Sequence, residues 1–225
     1  MKAMITLVCS LLLVFGGLGA AQAGSVNTLV ISEVLYDPAG GDDQREWIEL
    51  FNGTAGVIDL AEWSIGWGGS AYSYGTLQLD GTIDPAAYFI VGGPTSDLSN
   101  SSPSYSLAFD ISPDLQNSGT IADGIALFHT LASSITNTTV PFFSVIYGGA
   151  NSSSLIDHTG SVGAVDVGDA PSGQSIEFLG DGWVINPSPN PGSGSLSTVP
   201  VPSAIWMLAS GLFGLVGIKR KSKTE

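Results

Sequence analysis

Positive charge is what this sequence has least of. Its 225 residues include six Lys and Arg against twenty Asp and Glu, for a formal net charge of −14, and only 12% of the chain is charged at all. That is roughly half the usual share of about 25% in soluble domains. Six cations cannot neutralise a run of phosphates, which excludes a nucleic-acid-binding protein. Cysteine is nearly absent as well, and the single Cys9 rules out a disulfide scaffold. No sustained 3.6-residue apolar period occurs in the central part of the chain, which excludes a helical bundle. What is present is 44% hydrophobic residues, thirty Gly and twelve Pro. That composition is too apolar for a disordered acidic tail. The length fits one domain with appendages.

The scarce cations sit mostly at the two ends. Lys2 precedes an apolar run over residues 5–18, and Ala21-Gln22-Ala23 follows as a small-x-small site. This pattern predicts a secretory signal over residues 1–23, cleaved by signal peptidase so that Gly24 begins the mature chain. The apolar run is short of the ~20 residues of a membrane span, which argues against an uncleaved anchor. Cys9 lies inside the run and leaves with it. At the other end, sixteen uncharged residues, 203–218, lead to Lys219-Arg220-Lys221 and Lys223. Sixteen residues make a helix of roughly 24 Å, short of the ~30 Å hydrocarbon core, with snorkelling cations covering part of the mismatch. The basic tail predicts a cytoplasmic end and an exported body.

Val199-Pro200-Val201-Pro202-Ser203, Ala204-Ile205-Trp206, Gly211-Leu212-Phe213-Gly214-Leu215 and Lys219-Arg220-Lys221 together resemble the PEP-CTERM sorting signal of exopolysaccharide-producing Gram-negative bacteria. Val201 stands where that signal usually has Glu. The resemblance covers residues 199–225. It implies recognition by an exosortase, removal of the helix, and release or transfer of the body to an envelope acceptor or exopolysaccharide matrix.

Between the ends, residues 24–186 read as one strand-rich domain, and residues 187–198 (PSPNPGSGSLST) as a flexible or polyproline-like linker. Short β-rich runs between Gly, Pro, Asn, Asp and Ser clusters predict strands at 28–36, 46–51, 57–60, 63–67, 74–79, 88–91, 104–109, 124–131, 140–147, 175–178 and 183–185. In the first, strict alternation places Leu29, Ile31, Glu33 and Leu35 on one face and Val30, Ser32, Val34 and Tyr36 on the other. Two polar stretches, 92–119 and 148–173, read as excursions. The expected fold is all-β, a sandwich or barrel.

Ile31-Ser32-Glu33-Val34, then Asp43, then Glu46-Trp47-Ile48-Glu49-Leu50-Phe51-Asn52 resemble the opening of a lamin tail domain. Weaker matches follow at Ile58-Asp59-Leu60, Trp63-Ser64-Ile65, Tyr88 to Val91, Asp123 to Phe128, and Trp183 with Ser188 to Gly192. The resemblance spans about residues 28–192. It implies an immunoglobulin-like β-sandwich, of the kind found in nuclear lamins and in exported bacterial proteins.

The constellations that carry chemistry are sparse. The loop from Asp37 to Glu46 gathers Asp37, Asp42, Asp43 and Glu46, a candidate calcium set of oxygen ligands without EF-hand spacing. Asp166-Val167-Gly168-Asp169 is a weaker version. Otherwise a solvated hairpin loop explains these acids, and Glu33, Glu46 and Glu49 are expected on a solvent-facing strand edge, where charge discourages edge pairing. Trp47 and Trp63 are expected core anchors. His129 is expected at a solvent-facing or partly buried strand tip. Neither it nor His158 belongs to a nucleophile elbow, an HExxH motif or a zinc-ligand spacing. Asn52, Asn100, Asn137 and Asn151 begin Asn-x-Ser/Thr sequons. The expectation is an exported, non-catalytic surface or matrix protein without a cofactor. The rivals are a calcium- or polysaccharide-binding module using exposed aromatics such as Trp67, Tyr72 and Tyr74, and a hydrolase with an unrecognised site. Without its two ends the chain has nineteen acids and one cation, Arg45. Divalent cations or a cation-bridged matrix are therefore the partners such a surface favours.

Overall fold

A computed structural model describes residues 24–198. The expected signal segment (Ala21, Ala23) and the expected sorting signal (Val199 to Ser203, Lys219 to Lys221) lie outside the described residues. Among the described residues no helix is long and apolar enough to cross a membrane.

Each of the eleven expected runs contains a strand. Numbered in chain order, the strands are β1 (Ser25–Val26), β2 (Leu29–Leu35), β3 (Trp47–Asn52), β4 (Ile58–Asp59), β5 (Ser64–Gly68), β6 (Gly75–Gln78), β7 (Thr82–Ile83), β8 (Tyr88–Gly92), β9 (Leu107–Ala108), β10 (Ala122–Phe128), β11 (Phe143–Gly148), β12 (Ser175–Phe178), β13 (Trp183–Asn186) and β14 (Ser197–Thr198). The three unexpected ones, β1, β7 and β14, have two residues each, too few to show alternation. A four-stranded sheet in the order β11-β10-β5-β6 faces a six-stranded sheet in the order β13-β12-β2-β3-β8-β9. Within these sheets every pairing is antiparallel except β8 with β9. Two small pairs, β4–β7 and β1–β14, complete the described strands.

Apolar side chains from both inner faces fill the space between the sheets. Leu29, Ile31, Val34, Ile48 and Leu50 from one meet Ile65, Trp67, Ile125, Leu127, Val145 and Tyr147 from the other. Tyr36 and Tyr147 stack across the core at 4.3 Å. Alternation in β2 is broken once. Ile31 pairs with Leu50 and Glu33 with Glu49, leaving Ser32 as the extra residue of a bulge. The bulge reverses the parity expected from the sequence. Leu29, Ile31, Val34 and Tyr36 share the core face, while Glu33 and Leu35 turn to the outer face.

Both outer faces are covered, and the polar excursions do the covering. Residues 92–119 lay Tyr105 against Leu35, Trp47 and Ile90, and send Ile111 and Leu115 into the main core. Asn100, wholly buried, donates to the Arg45 and Thr95 carbonyls, and the Trp47 indole N–H donates to the Asn100 carbonyl at 3.0 Å. Residues 148–173 place Leu155 against Tyr72, Phe128 and Ile146 on the far side of the four-stranded sheet. Segment 187–198, expected as a linker, is also folded onto the domain. Leu196 is buried with Val26, Val30 and Phe51, and β14 pairs with β1. Backbone crowding fixes Gly92, where φ is +146° and a Cβ would stand 2.2 Å from the Glu46 carbonyl oxygen.

Candidate functional site

The buried carboxyls are the feature that local sequence least predicts. Glu33, Glu46 and Glu49 were expected at a solvent-facing edge; the structure buries all three, at 1%, 2% and 0% exposure. β2 and β3 are interior strands of the six-stranded sheet, and lids cover their outer face, so neither strand has a wet side.

Glu177, Glu33 and Glu49 form one row across β12, β2 and β3, Glu33 opposite Glu177 on one side and Glu49 on the other. No cation is near. The donors come from the closing segment, from Asn186 at the end of β13 and from two serines. Glu33 Oε1 accepts from the Ser175 hydroxyl, the Asn186 amide at 3.1 Å and the Asn190 N–H at 3.3 Å. Glu49 accepts from the Ser32 hydroxyl at 2.7 Å and from the Gly192 N–H. Ser195 reaches Glu177 at 3.2 Å. Glu33 Oε2 has no partner. Burial pushes the Glu33 and Glu49 carboxyls up from 4.5 to about 7 each, against the pull of these donors. The neighbouring carboxylates add to the rise, Glu49 and Glu177 acting on Glu33 and Glu177 on Glu49.

The candidate calcium set does not come together. Glu46 turns inward, where Oε2 accepts the Leu115 N–H at 2.8 Å and Oε1 has no partner. Burial, then the carboxylates of Asp114, Asp42 and Asp110, push it up to about 9. A carboxyl that prefers its proton is a poor ligand for a hard cation. Asp37 and Asp42 are half-buried and Asp43 is exposed. Among the described residues no three Asp, Glu, His or Cys side chains form a group able to hold a metal ion. In the Asp166 to Asp169 segment, Asp166 accepts the Ile146 N–H at 2.8 Å through Oδ2 and Asp169 the Tyr36 hydroxyl at 3.2 Å through Oδ1, so the two acids serve different partners.

Trp47 and Trp63 are core residues, as expected. Of the aromatics expected on the surface, Trp67 and Tyr72 are buried and Tyr74 is exposed. Trp67 donates to the Pro113 carbonyl and Tyr72 to the Ile156 carbonyl. His129 is exposed just past β10, stacked on Trp63 at 4.4 Å with its Nε2 3.5 Å from a Glu62 carboxylate oxygen. His158 is exposed on the loop after β11. The sequon residues Asn52 and Asn100 are wholly buried, Asn151 bonds Leu155 and Gly163, and Asn137 is exposed. The glutamate row was legible in part. In WIEL Glu49 sits between Ile48 and Leu50, and in the run LVISEVL Glu33 is embedded in a strand apolar on both faces, the pattern of a strand with no wet face.

Two packed sheets, mainly antiparallel and with both outer faces covered, define an immunoglobulin-like β-sandwich. More specifically, the chain belongs to the lamin tail domain family, whose model matches residues 22–168. The match ends before β12, β13 and the closing segment, which therefore lie outside it although they complete the six-stranded sheet. No curated protein and no solved structure matches the chain.

Proposed function

We propose that this chain is an exported, non-catalytic module that presents a lamin-tail β-sandwich at the cell surface or in an extracellular matrix. One observation carries the non-catalytic part. Each of the four buried acids, Glu33, Glu46, Glu49 and Asp123, accepts a backbone N–H from a loop, given by Asn190, Leu115, Gly192 and Ser118 respectively. Perturbed carboxyls in a catalytic site line a cleft that substrate enters. Here all four fasten loops to the sheets, Asp123 doing so while it also lines a surface depression, and the family is that of a non-catalytic immunoglobulin-like domain. The export part rests on the signal-like residues 1–23 and the PEP-CTERM-like residues 199–225. On this reading signal peptidase removes the first segment, the C-terminal helix holds the protein in the inner membrane, and an exosortase transfers or releases the body. The nearly pure anionic surface suits a hydrated polysaccharide matrix and repels nucleic acid.

Cell fractionation of the full chain beside a chain ending at residue 198 tests the sorting role. The full chain is expected at the envelope or outside the cell with its C-terminus shortened, and the truncated chain at a different destination. Identical localisation and an intact C-terminus overturn it.

A further inference from the structure

At one side of the sandwich the two sheets end in edge strands, β11 of the four-stranded sheet and the β12–β13 hairpin of the six-stranded sheet. Between them lies a cavity of about 360 Å³, at the small end of the 300–1,000 Å³ typical of small-molecule sites. One wall is aromatic. Phe143, Phe178 and Trp183 stand with ring centroids 5.1, 5.5 and 6.3 Å apart, and all three are only half-buried. Opposite it stand three acids, Asp157 and Asp166 from the loop after β11 and Asp181 from the β12–β13 turn, together with His158 and Ser144.

No Lys or Arg faces these carboxylates; the base beside them is the exposed His158, which when protonated offsets Asp157 and Asp166 in part. The only Lys or Arg among the described residues is Arg45, which pairs with Asp97 and lines a different surface depression. Hydrogen bonds from Thr159 hold the Asp157 carboxyl below its usual range and occupy only Oδ1. Asp166 gives only Oδ2 to the Ile146 N–H; desolvation and the nearby Asp157 charge raise its carboxyl, an electrostatic cost that a bound cation would relieve. Ser144, 6% exposed, also lines the cavity, and beyond the neighbouring Tyr72 hydroxyl no group is placed to bond its own hydroxyl. The Tyr72 hydroxyl beside it donates instead to the Ile156 carbonyl.

A metal ion does not fit this arrangement. The acids do not converge on one point, and an aromatic wall supplies no hard ligand. A neutral apolar ligand leaves the carboxylates unanswered. A pyranose ring carrying a free ammonium satisfies both walls. Its C–H face lies on the aromatic rings, its ammonium meets their π-faces and the carboxylates, and its hydroxyls donate to the remaining carboxylate oxygens. We propose that this edge cavity binds one amino-sugar residue with an unacetylated amine, using Trp183, Phe143 and Phe178 as the platform and Asp157, Asp166 and Asp181 as the charge-reading groups. The site belongs to the sandwich itself and does not depend on how the chain is exported.

Calorimetric titration of the full-length protein in detergent, with glucosamine oligomers, N-acetylglucosamine oligomers, glucose oligomers and choline in separate arms, tests the proposal. Glucosamine oligomers are expected to bind at least tenfold tighter than either neutral oligomer, and tighter than choline, which has the charge without the sugar. Asp181→Asn lies on an exposed turn and leaves the fold intact; it is expected to weaken binding at least fivefold. Trp183→Phe keeps an aromatic ring and is expected to weaken it less. Asp80→Asn, an exposed acid elsewhere, controls for diffuse attraction to an anionic protein and is expected to change nothing. Equal binding of acetylated and free-amine oligomers, no binding of any arm, or an equal effect of the Asp80 and Asp181 variants overturns the assignment.

Discussion

Glu33 and Glu49 stand directly opposite each other on β2 and β3, both buried, with no cation between them. The chain supplies a different remedy: the closing segment brings the Asn190 N–H to one and the Gly192 N–H to the other. Two carboxyls that repel each other when ionised thus become the anchor for the last strand.

The first prediction concerns pH. Glu33 and Glu49 titrate near 7 in the folded protein and Glu46 near 9, all from an ordinary value of 4.5. Between pH ~4.5 and those values the native state holds more protons than the unfolded chain, so stability falls as pH rises. Its contribution is fully present below pH ~4.5 and is lost as pH climbs through ~7 and then ~9. A rise from 4.5 to about 7 corresponds to roughly 3 kcal/mol per group as an upper figure. Thermal melts are expected to be highest near pH 5 and to fall steadily toward pH 9. Glu33→Gln and Glu49→Gln are each expected to flatten that slope. A melting temperature that rises from pH 5 to pH 9 contradicts this.

The second concerns the closing segment. Leu196 is 8% exposed and packs on Val26, Val30 and Phe51. Leu196→Ala is expected to cost about 2–3 kcal/mol, the range for a buried leucine whose site partly collapses. Chemical denaturation measures it. A change within about 0.5 kcal/mol, the scatter of surface substitutions, means that residues 187–198 do not hold to the sheet.

The third concerns the lid over Trp47. The Asn100 amide donates to Arg45 and Thr95 carbonyls and its side-chain oxygen accepts the Asp97 N–H. Asn100→Ala orphans several buried backbone groups at once and is expected to cost about 2–4 kcal/mol. Proteolysis inside residues 94–108 is expected to quicken in the variant. Unchanged proteolysis speaks against the lid.

The fourth concerns calcium. Because Glu46 faces the Leu115 N–H and not a shared ion position, millimolar calcium is expected to shift the melting temperature no further than magnesium does. A calcium-specific rise, removed by Asp42→Asn, contradicts that reading.

Much of the sandwich could be read from the sequence, because strand alternation and turn chemistry are local signals. The strands from β2 to β13, apart from β7, announced themselves in this way. The parity of β2 did not, because the bulge at Ser32 is defined by its partner strand. The fate of residues 187–198 did not, because Pro, Gly and Ser describe a docked closing segment as well as a free linker. The burial of Glu46 and Glu49 did not, because their donors Leu115 and Gly192 lie 69 and 143 residues away. The aromatic platform was only half visible: Phe178 and Trp183 face each other across the β12–β13 hairpin, but Phe143 joins them only when β11, the edge of the other sheet, comes alongside.

The claim that the buried acids are structural anchors is tested most directly by carboxyl-carbon NMR titration of Glu33 and Glu49 in the folded protein. Midpoints near 7, lost or moved together when the Asn190–Gly192 turn is disrupted by Gly192→Pro, are the expected result. Midpoints near 4.5 that ignore that substitution would contradict it, placing both carboxylates in water and freeing the closing segment from the sheet.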